Sequence, residues 1–376
     1  MRLEKKGNII RNFSELKDPR LERKKLHKLI DIIVIAICAV IGGADGWEDI
    51  ERFGKAKEKW FRVFLELENG IPSHDTFNRV FSLINAKKFQ ECFINWIKEI
   101  SQLSKGEIIS IDGKTVRRSY DRWNNKGAVH IVSAWANNNR LVLGQIKVNE
   151  KSNEITAIPE LLSYLEIEGC IITIDAMGCQ KEIASKIQDG KGDYVLALKE
   201  NHKNLYEDVK LYLEDKRENS DFKEEEYYRS IEKDHGRIEE RKYWITTDID
   251  WLENKSKWAG LKSIGMVEST RDIKGNISKE VRFYLCSIEG NVKEFSKAVR
   301  SHWGIENSVH WVLDMTFRED ESRIRKGHSA ENFNVLRHIA LNLLKKEKSK
   351  GSIRGKRLKA GWDNAFLKKI LFASYF

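Results

Sequence analysis

Between residues 27 and 100 apolar side chains recur every three or four positions, the spacing of helices that bury one face. The pattern predicts helices over 29–41, 47–53 and 60–67, separated by Gly42-Gly43 and other polar breaks. A further helix follows Ser73, a natural N-cap, with Phe77, Val80, Phe81 and Ile84 on its apolar side and Asn78 and Arg79 exposed. The run 32–44 is apolar throughout but too short to cross a bilayer, so it is expected to be a buried helix. Residues 1–25 are polar and basic, an arm or a lead-in to a helix.

After the polar stretch 101–106 the period changes to two, and strands are predicted over 107–112, 128–135 and 141–148, with Asn137, Asn138 and Asn139 as a turn. A helix carrying Ile158, Leu161, Leu162 and Leu165 follows, then a strand over 170–175, a helix over 181–187 and a strand over 194–198. Alternation at 227–231, 239–246, 261–269 and 280–288, with turns at Gly236 and Lys274-Gly275, predicts a β-rich insertion. Helical pattern returns over 292–314 and 330–344, followed by a basic run from Lys345 to Lys359 and an apolar end.

Three strands, helix, strand, helix, strand is the order of the ribonuclease H fold, whose first and fourth strands lie side by side. The expected fold is therefore α/β. A ribonuclease H-like mixed-sheet core (105–200 and 292–345) is interrupted by the β-rich insertion (201–291), preceded by an all-α domain (1–104) and followed by a basic segment (346–376). Asp112 and Asp175 end the first and fourth of these strands, so the topology sets them next to each other.

Composition narrows the class. The 41% hydrophobic and 33% charged content fits a globular chain, and 67 Lys and Arg against 57 acids give +10, which favours a polyanionic partner, nucleic acid ahead of a membrane surface. The five cysteines are scattered with no CxxC, which argues against a disulfide framework or zinc cage and fits a reducing cytoplasm. MRLEKKGNII has no apolar signal core, so export is not expected. GxxxxGK[ST], GxGxxG and GxSxG are all absent, leaving little support for nucleotide-driven chemistry.

Converging carboxylates in a basic protein suit a phosphodiester substrate, because hard oxygen ligands bind Mg²⁺ or Mn²⁺. Glu306 is the expected third acid, with Asp314, Glu319 and Asp320 as competitors. At helical spacing His302, Glu306 and His310 share a side, a stripe that lacks the HExxH of a zinc hydrolase. The loop expected after Asp112 supplies Lys114, Arg117, Arg118 and Arg122 beside Tyr120 and Trp123, cations for phosphates and rings for stacking on bases. His235, Arg237 and Arg241 make a second basic cluster, and Arg79 suits the second helix of a helix-turn-helix.

The long motifs IDGKTVRRS, TIDAMGCQKEIA, DYVLALKENH, DHGRIEER and RSHWGIENSVHWVLDMTFRED, with HKLIDIIVIAICAVIGGADGWEDIERFG and NGIPSHDTFNRVF before them, carry a resemblance. The chain resembles the H-repeat-associated, ISAs-group insertion-sequence transposases of the DDE type almost from end to end. The resemblance implies cleavage of DNA at element ends and joining to target DNA. It also implies Asp112, Asp175 and Glu306 as catalytic, metal-binding acids, with Mg²⁺ as the metal and Mn²⁺ as a substitute. The implied partners are double-stranded terminal repeats and target DNA, bound by a homo-oligomer in the bacterial cytoplasm at the nucleoid, with no membrane. The broader superfamily places Tyr, Arg and Lys around the Glu; here Val299, His302 and Leu313 stand there, with Arg300 replacing the Arg, and Arg300, His302 and Trp303 are further expected DNA contacts. The rival readings are a nuclease of the same fold and a DNA-binding protein derived from a transposase.

Overall fold

In the computed structural model, which describes residues 9–120, 127–148, 153–234, 236–253 and 255–372, the apolar run near the N-terminus is a buried helix. It is α2 (Leu29–Ile41), between α1 (Ile9–Ser14) and the amphipathic α3 (Trp47–Ala56). The helix expected over 60–67 is a short α4 (Glu58–Phe61) followed by turns, because Trp60, Phe61 and Phe64 pack edge to face and Leu67 turns left-handed at φ 42°. Ser73 caps α5 (His74–Leu83) by accepting from the Thr76 N–H, and α6 (Ala86–Ile100) completes the helical layer.

The sheet begins with β1 (Ile108–Val116), β2 (Val129–Ala136) and β3 (Leu141–Lys147); α7 (Glu154–Tyr164), β4 (Ile171–Ile174), α8 (Lys181–Asp189) and β5 (Asp193–Leu198) follow. Next come α9 (Lys203–Glu218), β6 (Tyr227–Asp234), β7 (Arg237–Thr246), β8 (Ser263–Ile273) and β9 (Asn276–Cys286). Helix α9 was not expected; it buries only Val209 and Leu213, too few positions to set a readable period. The strand order is β3-β2-β1-β4-β5-β9-β8-β7-β6. β4 lies parallel to both β1 and β5, while β2, β3 and β9 run antiparallel to their neighbours. The first five strands thus follow the ribonuclease H order, and the four strands after α9 lengthen the same sheet. The run of four buried residues in β4 and the four that open β1 belong to strands covered on both faces.

α10 (Val292–Ile305) crosses one face of the sheet, and α7 covers the other beside α8. After α10 come α11 (Trp311–Phe317), α12 (Ser329–Lys346), α13 (Ile353–Trp362) and α14 (Asn364–Leu371). The long α12 joins the halves. Its Asn332 amide donates to the Phe81 and Ile84 carbonyls at the end of α5, at 2.8 and 3.0 Å. Further along the same helix, Asn342 accepts from the Val142 N–H and donates to its carbonyl, satisfying the open edge of β3 as a paired strand would.

The basic C-terminal segment is folded onto the N-terminal helices. Arg357 of α13 is buried and donates to the Val40 and Ala44 carbonyls where α2 ends, to the Thr316 carbonyl and to Asp45 Oδ1 at 3.1 Å. A cation at a helix C-terminus meets unpaired carbonyls and the negative end of the helix dipole. Lys356 beside it is also buried, donating to the Leu344 and Glu347 carbonyls. Because Arg357 leaves several acceptors and Asp45 without a partner when removed, Arg357→Ala is expected to lower unfolding free energy by about 3 kcal/mol in urea denaturation.

Candidate active site

β1 does not end at Asp112. Pairing with β2 continues from Asp112↔Ser133 through Val116↔Val129, so Lys114 is a strand residue rather than part of a loop. Ile111 pairs with Ile174 in parallel register, and Asp175 is the next residue, which sets Asp112 and Asp175 level on strands about 4.8 Å apart. Asp175 ends β4 by capping a tight turn, its Oδ1 accepting from the Met177 and Gly178 N–H groups at 3.1 and 3.4 Å.

The third acid arrives from α10. The sequence predicts one helix over 292–314; the structure inserts a π turn, Glu306–His310, between α10 and α11, with the Trp311 N–H donating to the Glu306 carbonyl. The extra residue of a π turn rotates the rest of the helix about its axis, and such turns are frequent at functional sites. Glu306 and His310 still meet across this turn, while His302, one turn earlier on α10, is turned to β4. His302 Nδ1 sits 3.0 Å from Thr173 Oγ1, and burial pushes its pKa down to about 4, so it is neutral at pH 7. His310 Nδ1 lies 3.0 Å from Glu306 Oε2 and 3.5 Å from Asp112 Oδ2. Ligand atoms of Asp112, Glu306 and His310 all fall within 4.8 Å of one another. His310 Nε2 is buried with no hydrogen-bond partner among the described residues.

Burial pushes the Asp112 carboxyl up to about 6; the nearby charges of Asp175 and Glu154 add to the rise, while His310 and the Gly113 N–H oppose it. Burial and then Glu154 raise Asp175 as well, whereas the hydrogen bond from His310 lowers Glu306. Oxygen donors that are crowded, desolvated and reluctant to ionise fit a hard divalent cation, which would relieve their repulsion. The three competing acids are committed elsewhere. Lys114 Nζ lies 2.7 Å from Asp314, 2.9 Å from Glu319 and 3.2 Å from Asp320.

Asp112, Asp175 and Glu306 open onto a cavity of about 940 Å³ that also holds Lys199, Arg282 and Trp303. The Arg282 guanidinium lies 4.9 Å from the Trp303 ring. The expected DNA-contacting residues divide. Arg79, Arg117 and Arg118 are exposed, Arg117 also reaching Asp320 at 3.2 Å, and Arg237 is partly exposed beside Glu239. Arg241 is buried between Glu232 and Glu239, Arg300 makes a two-pronged pair with Glu232, and Lys114 is held by its three acids. Asn78, expected to be exposed, faces Ser329 of α12. Arg122, Trp123 and His235 lie outside the described residues.

Residues 103–343 match the family described as "Transposase DDE domain", and residues 10–97 match "DDE_Tnp_1-associated". The chain belongs to the DDE transposase family. It is 44% identical over 373 residues to "H repeat-associated putative transposase YhhI" of Escherichia coli K12, covering 97% of this chain and 98% of that one. It is 42% identical over 375 residues to "Putative transposase YncI" of Escherichia coli O157:H7, covering 97% and 94%. A solved "piggyBac transposase synaptic complex with hairpin DNA" aligns with 98% of this chain and 79% of that one, at 12% identity and a TM-score of 0.42. The DDE transposase is thus of the insertion-sequence type, with an α/β fold in which a helical region precedes a nine-stranded mixed sheet. Among the described residues no helix is long and apolar enough to cross a membrane.

Two side chains at this site were not singled out from sequence, Glu154 and His130, whose Oε1 and Nε2 are 2.7 Å apart. The available signal was Gly113 immediately after Asp112, a residue that leaves room for a close neighbour. The Asp112 shift sets a stability test in metal-free buffer. Its folded pKa of about 6 exceeds the ordinary value of 3.8, so the cost of ionising it is absent below pH 4 and fully present above pH 6. Asp112→Asn removes that cost, and the variant is expected to gain about 2 kcal/mol over wild type between pH 4 and pH 7 in denaturation measurements.

Proposed function

We propose that this transposase uses Asp112, Asp175 and Glu306 to hold Mg²⁺, with Mn²⁺ as a substitute, for cleaving DNA at element ends and joining those ends to target DNA. The observation that carries the reading is the meeting of Asp112, Glu306 and His310 within 4.8 Å, with Asp112 and Glu306 on the wall of the cavity that Asp175 also lines. When bound, the metal supplies charge neutralisation at the phosphate and activation of the attacking oxygen. The chain's own residues fix the geometry. The β1–β4 register aligns the aspartates, and the π turn delivers Glu306. His310 hydrogen-bonds Glu306 and so limits its rotation, while neutral His302 props α10 against β4. Positioning of this kind, rather than a protein nucleophile, is what in-line phosphoryl transfer asks of an enzyme.

Exposed Arg79, Arg117 and Arg118 and partly exposed Arg237, with Arg122 and His235, supply phosphate contacts in this reading. Trp303 and Arg282 face DNA from the cavity wall, whereas Lys114, Arg241 and Arg300 act by holding the protein in shape. Joining both ends of one element requires two sites held together, so the reading includes a homo-oligomer assembled on double-stranded DNA.

The test is strand transfer of labelled element ends into a plasmid with Mg²⁺. Wild type is expected to cut and join, and Asp112→Asn, Asp175→Asn and Glu306→Gln to lose roughly 10³-fold or more of transfer while retaining DNA binding. Cutting without joining would make the protein a nuclease, and binding without cutting a DNA-binding derivative. Transfer that survives Asp112→Asn would remove the acid from its assigned role.

A further inference from the structure

Residues of β1 alternate between the two faces of the sheet. Ser110 turns toward α10, where its hydroxyl donates to the Ser301 carbonyl at 3.2 Å, and Asp112 follows it on that face. Gly113 turns to the opposite face, under α7. A Cβ placed there would lie 2.1 Å from Glu154 Oε1 and 2.7 Å from His130 Nε2. Glycine is the one residue that lets a carboxylate and an imidazole press so close to the strand immediately beside Asp112.

Both side chains are held where they are. Glu154 opens α7, anchored by Asn153, whose Oδ1 accepts from the Ile155 N–H. His130 sits opposite Thr115 in the β1–β2 register, and its Nδ1 is 2.8 Å from the Thr115 hydroxyl. An ionised carboxylate only accepts, so His130 Nε2 carries the proton toward Glu154, and in the neutral ring Nδ1 accepts from Thr115. The chain Thr115, His130, Glu154 leaves the carboxylate a fixed orientation with a second oxygen to spare.

Ile155, the residue after Glu154 on α7, lines the cavity together with Asp112 and Asp175, which sets the start of α7 beside both aspartates. The aspartates are thus flanked by two Glu–His pairs, Glu306–His310 from the α10 side and Glu154–His130 from the α7 side. Adding a fourth acid to a desolvated cluster costs stability unless a cation shares it. We propose that Glu154, oriented by His130, is a fourth carboxylate ligand of the metal centre, serving a divalent ion on the α7 side of Asp112 and Asp175. The proposal rests on the metal reading of Asp112, Asp175 and Glu306.

Titration of the full chain with Mn²⁺, followed by electron paramagnetic resonance, tests it together with a ligand exchange. Glu154→Gln is expected to weaken Mn²⁺ binding by about 10-fold or more, while Glu160→Gln, on the exposed side of the same helix, binds as wild type. Glu154→Cys is expected to give a cadmium–thiolate absorption band over wild type, lost when Asp112→Asn is added. Thermal melting confirms that each variant is folded, and the band reads ligation independently of the Gln variant. Unchanged Mn²⁺ binding in Glu154→Gln overturns the proposal. Weakened binding with no cadmium band in Glu154→Cys also overturns it, because Glu154 then acts through charge alone. Absence of Mn²⁺ binding in wild type overturns instead the metal reading on which the proposal stands.

Discussion

Two aspartates set level on adjacent parallel strands repel each other and lose hydration together, and the surrounding structure is arranged around that cost. The parallel β1–β4 register imposes the proximity. Helices on both faces make the strands buried, and burial is the largest cause of the raised Asp112 and Asp175 carboxyls. What the two faces bring to the sheet end is not apolar. α10 and its π turn bring Glu306 and His310, and α7 brings Glu154 with His130 behind it. A site assembled from opposing layers holds its geometry only if both layers are fixed, and the Ser110–Ser301 and Thr173–His302 contacts fix one of them directly to the strands.

Charge elsewhere in the chain is organised to keep this cluster distinct. Lys114, two residues after Asp112 and on the same face by strand alternation, gathers Asp314, Glu319 and Asp320. Glu319 is almost fully buried, so its pairing with Lys114 and the nearby Arg337 offsets a large desolvation cost and anchors the turn after α11. The basic surplus is also partly internal. Glu239 draws in Arg237, Arg241 and Arg271 along the extended sheet, and Arg357 closes the C-terminal helices onto α2. The count of 67 Lys and Arg therefore overstates the cations left for a polyanion.

Much of the fold was legible because period and burial coincide. The order of β1 to β5 and the capped α5 follow the sequence pattern closely. What was not legible depends on pairing or on long-range contact. β1 continues past Asp112 because β2 keeps pairing with it, a fact that the local run IISID followed by basic residues does not carry. The insertion strands lengthen the central sheet because β9 pairs with β5, which alternation alone does not reveal. Helical spacing grouped His302 with Glu306 and His310; in the structure Glu306 and His310 pair across a π turn while His302 contacts Thr173, and no residue type marks such a turn in advance. Whether a cation is free or paired is likewise a tertiary property. Arg241 and Arg79 look alike in sequence and differ in the structure because only one faces buried carboxylates.

The central claim is that residues from β1, β4 and the π turn form one metal centre. Anomalous diffraction from crystals soaked in Mn²⁺ tests it most directly. The expected result is a peak within coordination distance of carboxylate oxygens from both Asp112 and Asp175, with Glu306 completing the shell. A protein that takes up Mn²⁺ only at other carboxylates, or a peak that leaves either aspartate unbound, would contradict the account.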